Sequence, residues 1–370
     1  MRLTDIPTPA VLIESSRLER NLDRMQEAAT ARGLRLRPHA KTHKSPHIAA
    51  MQIERGAVGI CCAKLGEAEV FAEAGVTDIR LPYPLHPVNA GRVFDLADRV
   101  RLSFIVDDPE IADAWSNAAQ QTGRRLNVLV KVDVGFHRCG IDPVSNEAAS
   151  VVQRIARLPG LEFRGLLSHA GHAYGATSEA EIAAIAATEA ELLRDLSERS
   201  GVDCEEISVG ATPTVRFSLE ETGLTELRPG NYAYYDRTQV GLGAATFEDC
   251  ALTVLARVVS HPARDRVIFD SGSKTLTTDG ARGGHAGGYG AVLASPDETA
   301  PDLNLVIDRL SEEHATVRAM SGGTRLRTGD LVRIVPNHSC VVSNLVDHVW
   351  LVDGGRVVDK LPVAARGRIT

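Results

Sequence analysis

Over its first 230 or so residues the chain alternates short apolar runs with helix-like stretches, and this alternation limits the fold more than any other feature. The apolar runs read as strands at Leu34–Arg37, Ala57–Cys62, Asp78–Leu81, Leu102–Val106, Leu126–Val134, Leu161–Ser168, Glu206–Val209 and Thr225–Arg228. Helical patterns fill the gaps. The clearest runs from Glu179 to Ser200, with Ile182, Ile185, Leu192, Leu193 and Leu196 on one face, a capping box at Ser178 and Glu181, and Gly201 as the stop. Eight such units predict an α/β fold, a (β/α)8 TIM barrel. A doubly wound open sheet is the alternative. Two observations favour the barrel. No G-x-G-x-x-G follows an early strand, and polar residues recur just past the strands, at Lys41, Lys64, Arg138, His169, Thr212 and Asn231. In a barrel those ends converge on one mouth.

After about Gly243 the pattern changes to strands joined by Gly-rich turns: Ala251–Val259, Arg266–Phe269, Ala315–Arg318, Leu331–Val335 and Val349–Val352. The chain of 370 residues is thus expected to hold a barrel domain over 8–243 and an all-β domain over 244–370, with residues 1–7 free to join the latter. The Gly-rich run Asp279–Gly290 reads as a mobile loop near a site. Net charge of −7 and 4% aromatic content argue against a polyanionic partner. No apolar run approaches the ~20 residues of a membrane span, and no apolar signal core follows Met1, so a cytoplasmic protein is expected. None of the six cysteines falls in a C-x-x-C pair, and they read as reduced thiols.

Five local patterns can carry chemistry. Arg37-Pro38-His39-Ala40-Lys41-Thr42-His43-Lys44 follows the first barrel strand and crowds two lysines and two histidines into a turn with no acid nearby. Such crowding depresses a lysine pKa, as an imine-forming amine requires; a solvated basic loop is an equal alternative on spacing alone. Arg138, within Asp133–Gly140, can donate to a phenolate or carboxylate. His169-Ala170-Gly171-His172-Ala173-Tyr174 follows the sixth strand, and its H-x-x-H spacing is too short for a zinc motif. Gly210 and Thr212 follow the seventh strand, and Gly230 and Asn231 the eighth, the corner where barrels bind phosphate. Opposite a reactive lysine, that corner describes pyridoxal phosphate. Last, His338 and Cys340 stand at i and i+2 after a strand, so an extended chain would point both to one side and let them grip a divalent metal, zinc above all. A buried cysteine beside a turn histidine is the plainer reading.

Taken together, Arg37–Lys44, Gly59-Ile60-Cys61-Cys62-Ala63-Lys64, His169–Tyr174 and Pro336-Asn337-His338-Ser339-Cys340 resemble the D-threonine aldolase and D-serine dehydratase group of fold-type III pyridoxal phosphate enzymes, which share the alanine racemase barrel. The resemblance covers nearly the whole chain. It implies that Lys41 holds the coenzyme as an imine and that Arg138 and Tyr174 contact its ring or surroundings. It places Gly210, Thr212, Gly230 and Asn231 around the phosphate, and His338 and Cys340 on a divalent metal, zinc before manganese. It also implies a homodimer acting on a small D-amino acid. Aldolases of the group tend to carry His-x-Asp at the metal, and dehydratase-like members His-x-Cys. The leading expectation is therefore β-elimination from a D-3-hydroxy amino acid to a keto acid and ammonia, with retro-aldol cleavage to glycine and an aldehyde as the alternative. Racemisation ranks lower, because Tyr289 is the only tyrosine of the β domain to serve as second base. A barrel-only pyridoxal phosphate homeostasis protein ranks lower too, because the chain continues well past Gly243.

Overall fold

The computed structural model describes residues 1–283 and 287–370. Among them, eight strands form one parallel sheet: Arg35–Leu36, Ile60–Cys61, Asp78–Pro84, Arg101–Val106, Leu126–Lys131, Leu161–Leu167, Glu206–Val209 and Glu226–Leu227. The first strand pairs with the last, in register Arg35 to Glu226. On its other side the chain reaches the second strand through a parallel bridge between His39 and Cys61, where Cys61 N–H donates to the Pro38 carbonyl at 2.8 Å. The sheet thus closes into a (β/α)8 barrel with no free edge. The helix Glu179–Ser200 runs as its pattern predicts, with Gly201 in the left-handed region at φ +60°. Ser178 accepts from Glu181 N–H, but Glu181 returns its carboxylate to Thr177 rather than to Ser178.

The second sheet has nine strands in the order Arg266–Phe269, Ala315–Ala319, Leu305–Leu310, Ala291–Leu293, Leu331–Val335, Leu252–Ala263, Ala10–Glu14, His348–Asp353 and Arg356–Pro362. It is antiparallel except where Ala10–Glu14 runs parallel to His348–Asp353. The strand Ala10–Glu14 therefore hydrogen-bonds in the second sheet, although it precedes the barrel and falls within the 8–243 segment expected to form it. Residues 284–286 of the Gly-rich run, expected to form a mobile loop near a site, lie outside the described residues. No helix among the described residues is long and apolar enough to cross a membrane.

The inside of the barrel sets the stage for the site. Toward the strand starts it is ionic rather than aliphatic. Buried Glu226 accepts from Arg37 Nε at 2.8 Å, Arg80 bridges Glu226 and Glu206, and Arg37 also pairs with Asp78. Above this layer Ile105, Leu129 and Leu167 make a thin apolar plug. Leu167 also lines the cavity that opens at the C-terminal ends of the strands.

Candidate active site

Past the first barrel strand the chain tightens into a 3-10 turn, Ala40–Thr42, that presents Lys41. The turn is pinned from several sides. Buried His43 accepts from Ser45 N–H through Nδ1 at 3.1 Å. Lys44, held at φ +49°, is paired with Glu67 at 3.0 Å, and both are buried. The sequence expectation of no acid near this turn is thus corrected: Glu67 arrives from the helix Leu65–Glu73, a neighbour in space and not in sequence. From the second sheet, Ser343 Oγ donates to the Thr42 carbonyl at 2.5 Å, and the Thr42 hydroxyl meets Cys340 Sγ at 3.2 Å. The lysine turn and the His338–Cys340 segment are therefore held against each other.

All nine residues singled out from the sequence line one cavity of about 240 Å³: Lys41, Arg138, Tyr174, Gly210, Thr212, Gly230, Asn231, His338 and Cys340. Sequence reasoning passed over His39, Lys131, Arg228 and Arg282, which line it too. The Lys41 side chain is open to solvent within the cavity yet crowded by protein all round. Desolvation lowers its pKa, and the charges of Arg138 and Arg228 add to this against Cys340 and Glu67. Lys131, whose amine donates to the Val132 carbonyl at 3.1 Å, is pushed down to about 8, first by burial and then by Arg228. Burial holds His39 and His169 well below the ordinary imidazole range, with Lys41 assisting, so both are neutral. His169 Nδ1 lies 2.6 Å from the Gly210 carbonyl and must donate to it, which leaves Nε2 as an acceptor. Arg138 stacks on the Phe136 ring at 5.1 Å.

The corner after the last two strands is an anion nest. Among the described residues, the backbone N–H groups of Gly210, Ala211, Thr212, Gly230 and Asn231 donate to no carbonyl. A Cβ at Gly210 would stand 2.8 Å from the Arg228 carbonyl carbon, and one at Gly230 would stand 2.9 Å from the His39 oxygen, so close chain approach demands glycine at both. The Thr212 hydroxyl is buried with no well-formed hydrogen bond, although it and Gln239 lie near enough to Tyr174 to lower the phenol's pKa against the larger upward push of burial. These features suit a small ligand with a phosphate at this corner and a carbonyl at Lys41, which is what pyridoxal phosphate offers. Asn231 contributes its backbone here. Its side-chain amide is committed to Asp236 at 2.6 Å and Ser339 at 3.1 Å.

His338 and Cys340 differ from the extended geometry expected of them. His338 is the N-cap of a short helix, Ser339–Asn344, so Cys340 sits in its first turn. Helical curvature, not alternation along a strand, brings the two side chains near enough for each to shift the other's pKa. Asp279 Oδ2 accepts from His338 Nδ1 at 2.5 Å, which fixes the ring and leaves Nε2 uncommitted to Asp279. Burial pushes the Cys340 thiol up, but bonds to His338 and Thr42 outweigh it and bring it below its ordinary value. An oriented imidazole and an acidified thiol suit a divalent metal. Among the described residues no group of three or more His, Cys, Asp or Glu side chains could hold a metal ion, so protein would supply two ligands and the other positions would be open.

Residues 13–238 match the family described as "Alanine racemase, N-terminal domain", and residues 251–352 match "Putative serine dehydratase domain". The chain belongs to the D-threonine aldolase and D-serine dehydratase-like family. It is 36% identical to a D-threonine aldolase of Arthrobacter sp over 99% of this chain and 94% of that one. It is 34% identical to a D-threo-3-hydroxyaspartate dehydratase of Delftia sp. (strain HT23), over 91% and 92%. A solved D-threo-3-hydroxyaspartate dehydratase, metal-free and with one cysteine replaced by alanine, superposes with a TM-score of 0.91, covers 98% of each chain and is 30% identical. In another variant of the same enzyme the alanine replaces a histidine two positions earlier.

Proposed function

We propose that this protein is a lyase for D-3-hydroxy amino acids that uses pyridoxal phosphate and a divalent metal ion, and that its reaction is β-elimination to a keto acid and ammonia. The observation that carries the reading is the convergence, in one cavity, of a crowded lysine, five free backbone N–H groups and an oriented His–Cys pair. In this reading Lys41 holds the coenzyme, Gly210, Thr212, Gly230 and Asn231 surround its phosphate, Arg138 and Tyr174 flank it, and His338 and Cys340 bind the metal. The coenzyme supplies an electron sink for the pair left at Cα, and the metal a Lewis acid for the 3-oxygen.

The protein's own groups do the rest. Lys41 would be the base placed to take the Cα proton, and its lowered pKa leaves more of it neutral. Neutral His169 presents an acceptor nitrogen to the cavity. Tyr174 stays protonated through burial and can donate to an anion. The His-x-Cys spacing at the metal matches the histidine and cysteine replaced in the D-threo-3-hydroxyaspartate dehydratase variants, which favours elimination. Retro-aldol cleavage is the second reading, favoured by the 36% identity to a D-threonine aldolase. A thiolate ligand favours zinc. We further propose that the protein works in the cytoplasm as a homodimer.

Incubating the coenzyme- and metal-loaded protein with D-serine and D-threonine tests the reading. Pyruvate and 2-oxobutyrate are expected. Glycine and acetaldehyde would move the assignment to the aldolase. Activity indifferent to a chelator, or surviving Lys41→Ala, would overturn the metal or the lysine assignment.

A further inference from the structure

The charges around the cavity do not balance. Among the described residues Lys41, Lys131, Arg138, Arg228 and Arg282 line it, and no aspartate or glutamate does. Three of these cations are accounted for. Arg228 is bound to Ser208 Oγ at 2.7 Å and to the carbonyls of Ser168 and Ser208. Lys131 is bound to the Val132 carbonyl, and Lys41 is taken by the coenzyme in the proposed function. Arg138 and Arg282 are left over. Arg138 touches only the Phe136 ring, and Arg282 has no ion-pair or hydrogen-bond partner among the described residues.

The two free guanidinium groups stand at different ends. The charge of Arg138 acts on Lys41, His39 and His169, so it belongs to the lysine end. Arg282 shares a small adjoining recess with His338, Asp279, Asp236, Thr238 and Gln239, and an outer groove with Phe136, His172 and Tyr174, so it reaches the His338 end from the rim. The carboxylates of that recess are engaged elsewhere: Asp279 with His338, and Asp236 with Asn231, Ser339 and Gln239. A substrate whose 3-hydroxyl lies at His338 and Cys340 turns the remaining group on Cβ toward this end. An alkyl group or a hydrogen gives a guanidinium nothing there. A carboxylate gives it a charge-assisted, bidentate partner.

We infer that Arg282 is a specificity-determining residue that receives a second carboxylate on Cβ, so that the preferred substrates are 3-hydroxy dicarboxylic D-amino acids of the 3-hydroxyaspartate type rather than D-serine or D-threonine. The inference rests on the lyase reading but not on the choice between elimination and cleavage.

The test uses the loaded enzyme and its Arg282→Met and Arg282→Lys variants, which disturb no packed partner. Initial rates are measured with D-threo- and D-erythro-3-hydroxyaspartate, D-serine and D-threonine, and binding of unreactive D-aspartate and D-alanine is measured by calorimetry. Wild type should favour a 3-hydroxyaspartate in kcat/KM. The ratio of that value to the one for D-serine should fall about tenfold or more in Arg282→Met and be partly restored in Arg282→Lys. D-aspartate should outbind D-alanine only when residue 282 is cationic. An unchanged ratio in Arg282→Met, or a wild type that prefers D-serine or D-threonine, overturns the inference and leaves the lyase reading intact. If none of the four substrates is consumed while D-aspartate still outbinds D-alanine in an Arg282-dependent way, the lyase reading fails and the carboxylate site stands.

Discussion

Replacing Glu226 by glutamine should unsettle the barrel from beneath the site. Glu226 is fully buried; it accepts from Arg37 Nε at 2.8 Å and from Ser208 Oγ at 2.6 Å, and it pairs with Arg80. Burial alone would raise its pKa, but Arg80 and Arg37 outweigh burial and hold it at about 2, below the ordinary 4.5. That difference corresponds to about 3 kcal/mol of preference for the ionised form in the folded state. Removing one partner of a buried ion pair costs about 3–5 kcal/mol, and glutamine keeps an acceptor for Ser208, which again points to about 3. Because the folded pKa lies below the unfolded one, this stabilisation is fully present above pH 4.5 and is lost as pH falls from 4.5 toward 2. Urea unfolding can be followed by fluorescence of Trp115, buried in the barrel core, and by circular dichroism. It should show Glu226→Gln less stable by about 3 kcal/mol from pH 7 down to about 5, with the gap closing below that. A variant within about 0.5 kcal/mol of wild type at pH 7, the range of ordinary surface changes, would refute the argument. So would a gap that does not narrow below pH 4.5.

Two further substitutions probe the cavity. Asp279→Asn removes the carboxylate that orients His338 and should weaken metal binding about 10- to 100-fold, read by competition with a coloured chelator, while bound coenzyme keeps its visible absorbance. Metal affinity equal to wild type would show that the ring needs no such support. Gly230→Ala would set a Cβ 2.9 Å from both the His39 oxygen and the Thr42 hydroxyl. The resulting shift of the anion nest should loosen pyridoxal phosphate about tenfold or more by equilibrium dialysis, and unchanged affinity would refute the nest.

Much of this architecture is legible in the sequence because parallel barrel strands are buried on both faces and stand out as apolar runs between helices. The lysine and the glycines are legible because each follows a barrel strand whose end must face the mouth, whereas the His-x-Cys pair follows a strand of the second sheet and is legible only by its residue types and spacing. What escapes is tertiary. Nothing local says that Glu67 reaches Lys44, or that Asp279 reaches His338 across 59 residues. The run Ala10-Val11-Leu12-Ile13 is apolar, but it is too short to show which sheet it joins. Arg228 stands beside Gly230 in the sequence and Arg282 within the Gly-rich run, yet a lone arginine carries no signal until the fold shows what surrounds it: three acceptors for Arg228, and no partner among the described residues for Arg282.

Net charge misleads for the same reason. A total of −7 says that the surface is acidic, and nothing about the inside of a closed barrel. There the carboxylates and the free cations are separated by height. Glu206 and Glu226 lie at the strand starts and are consumed by Arg37 and Arg80. Ser208 then links Glu226 below to Arg228 above. Among the described residues no carboxylate lines the cavity at the mouth, and the two aspartates of the adjoining recess are taken by His338, Asn231 and Ser339. A cavity built this way favours anions that arrive with the ligands. In the proposed reading the paired layer beneath thus shapes what the layer above would bind: a phosphate at the glycine corner and a further acid at Arg282.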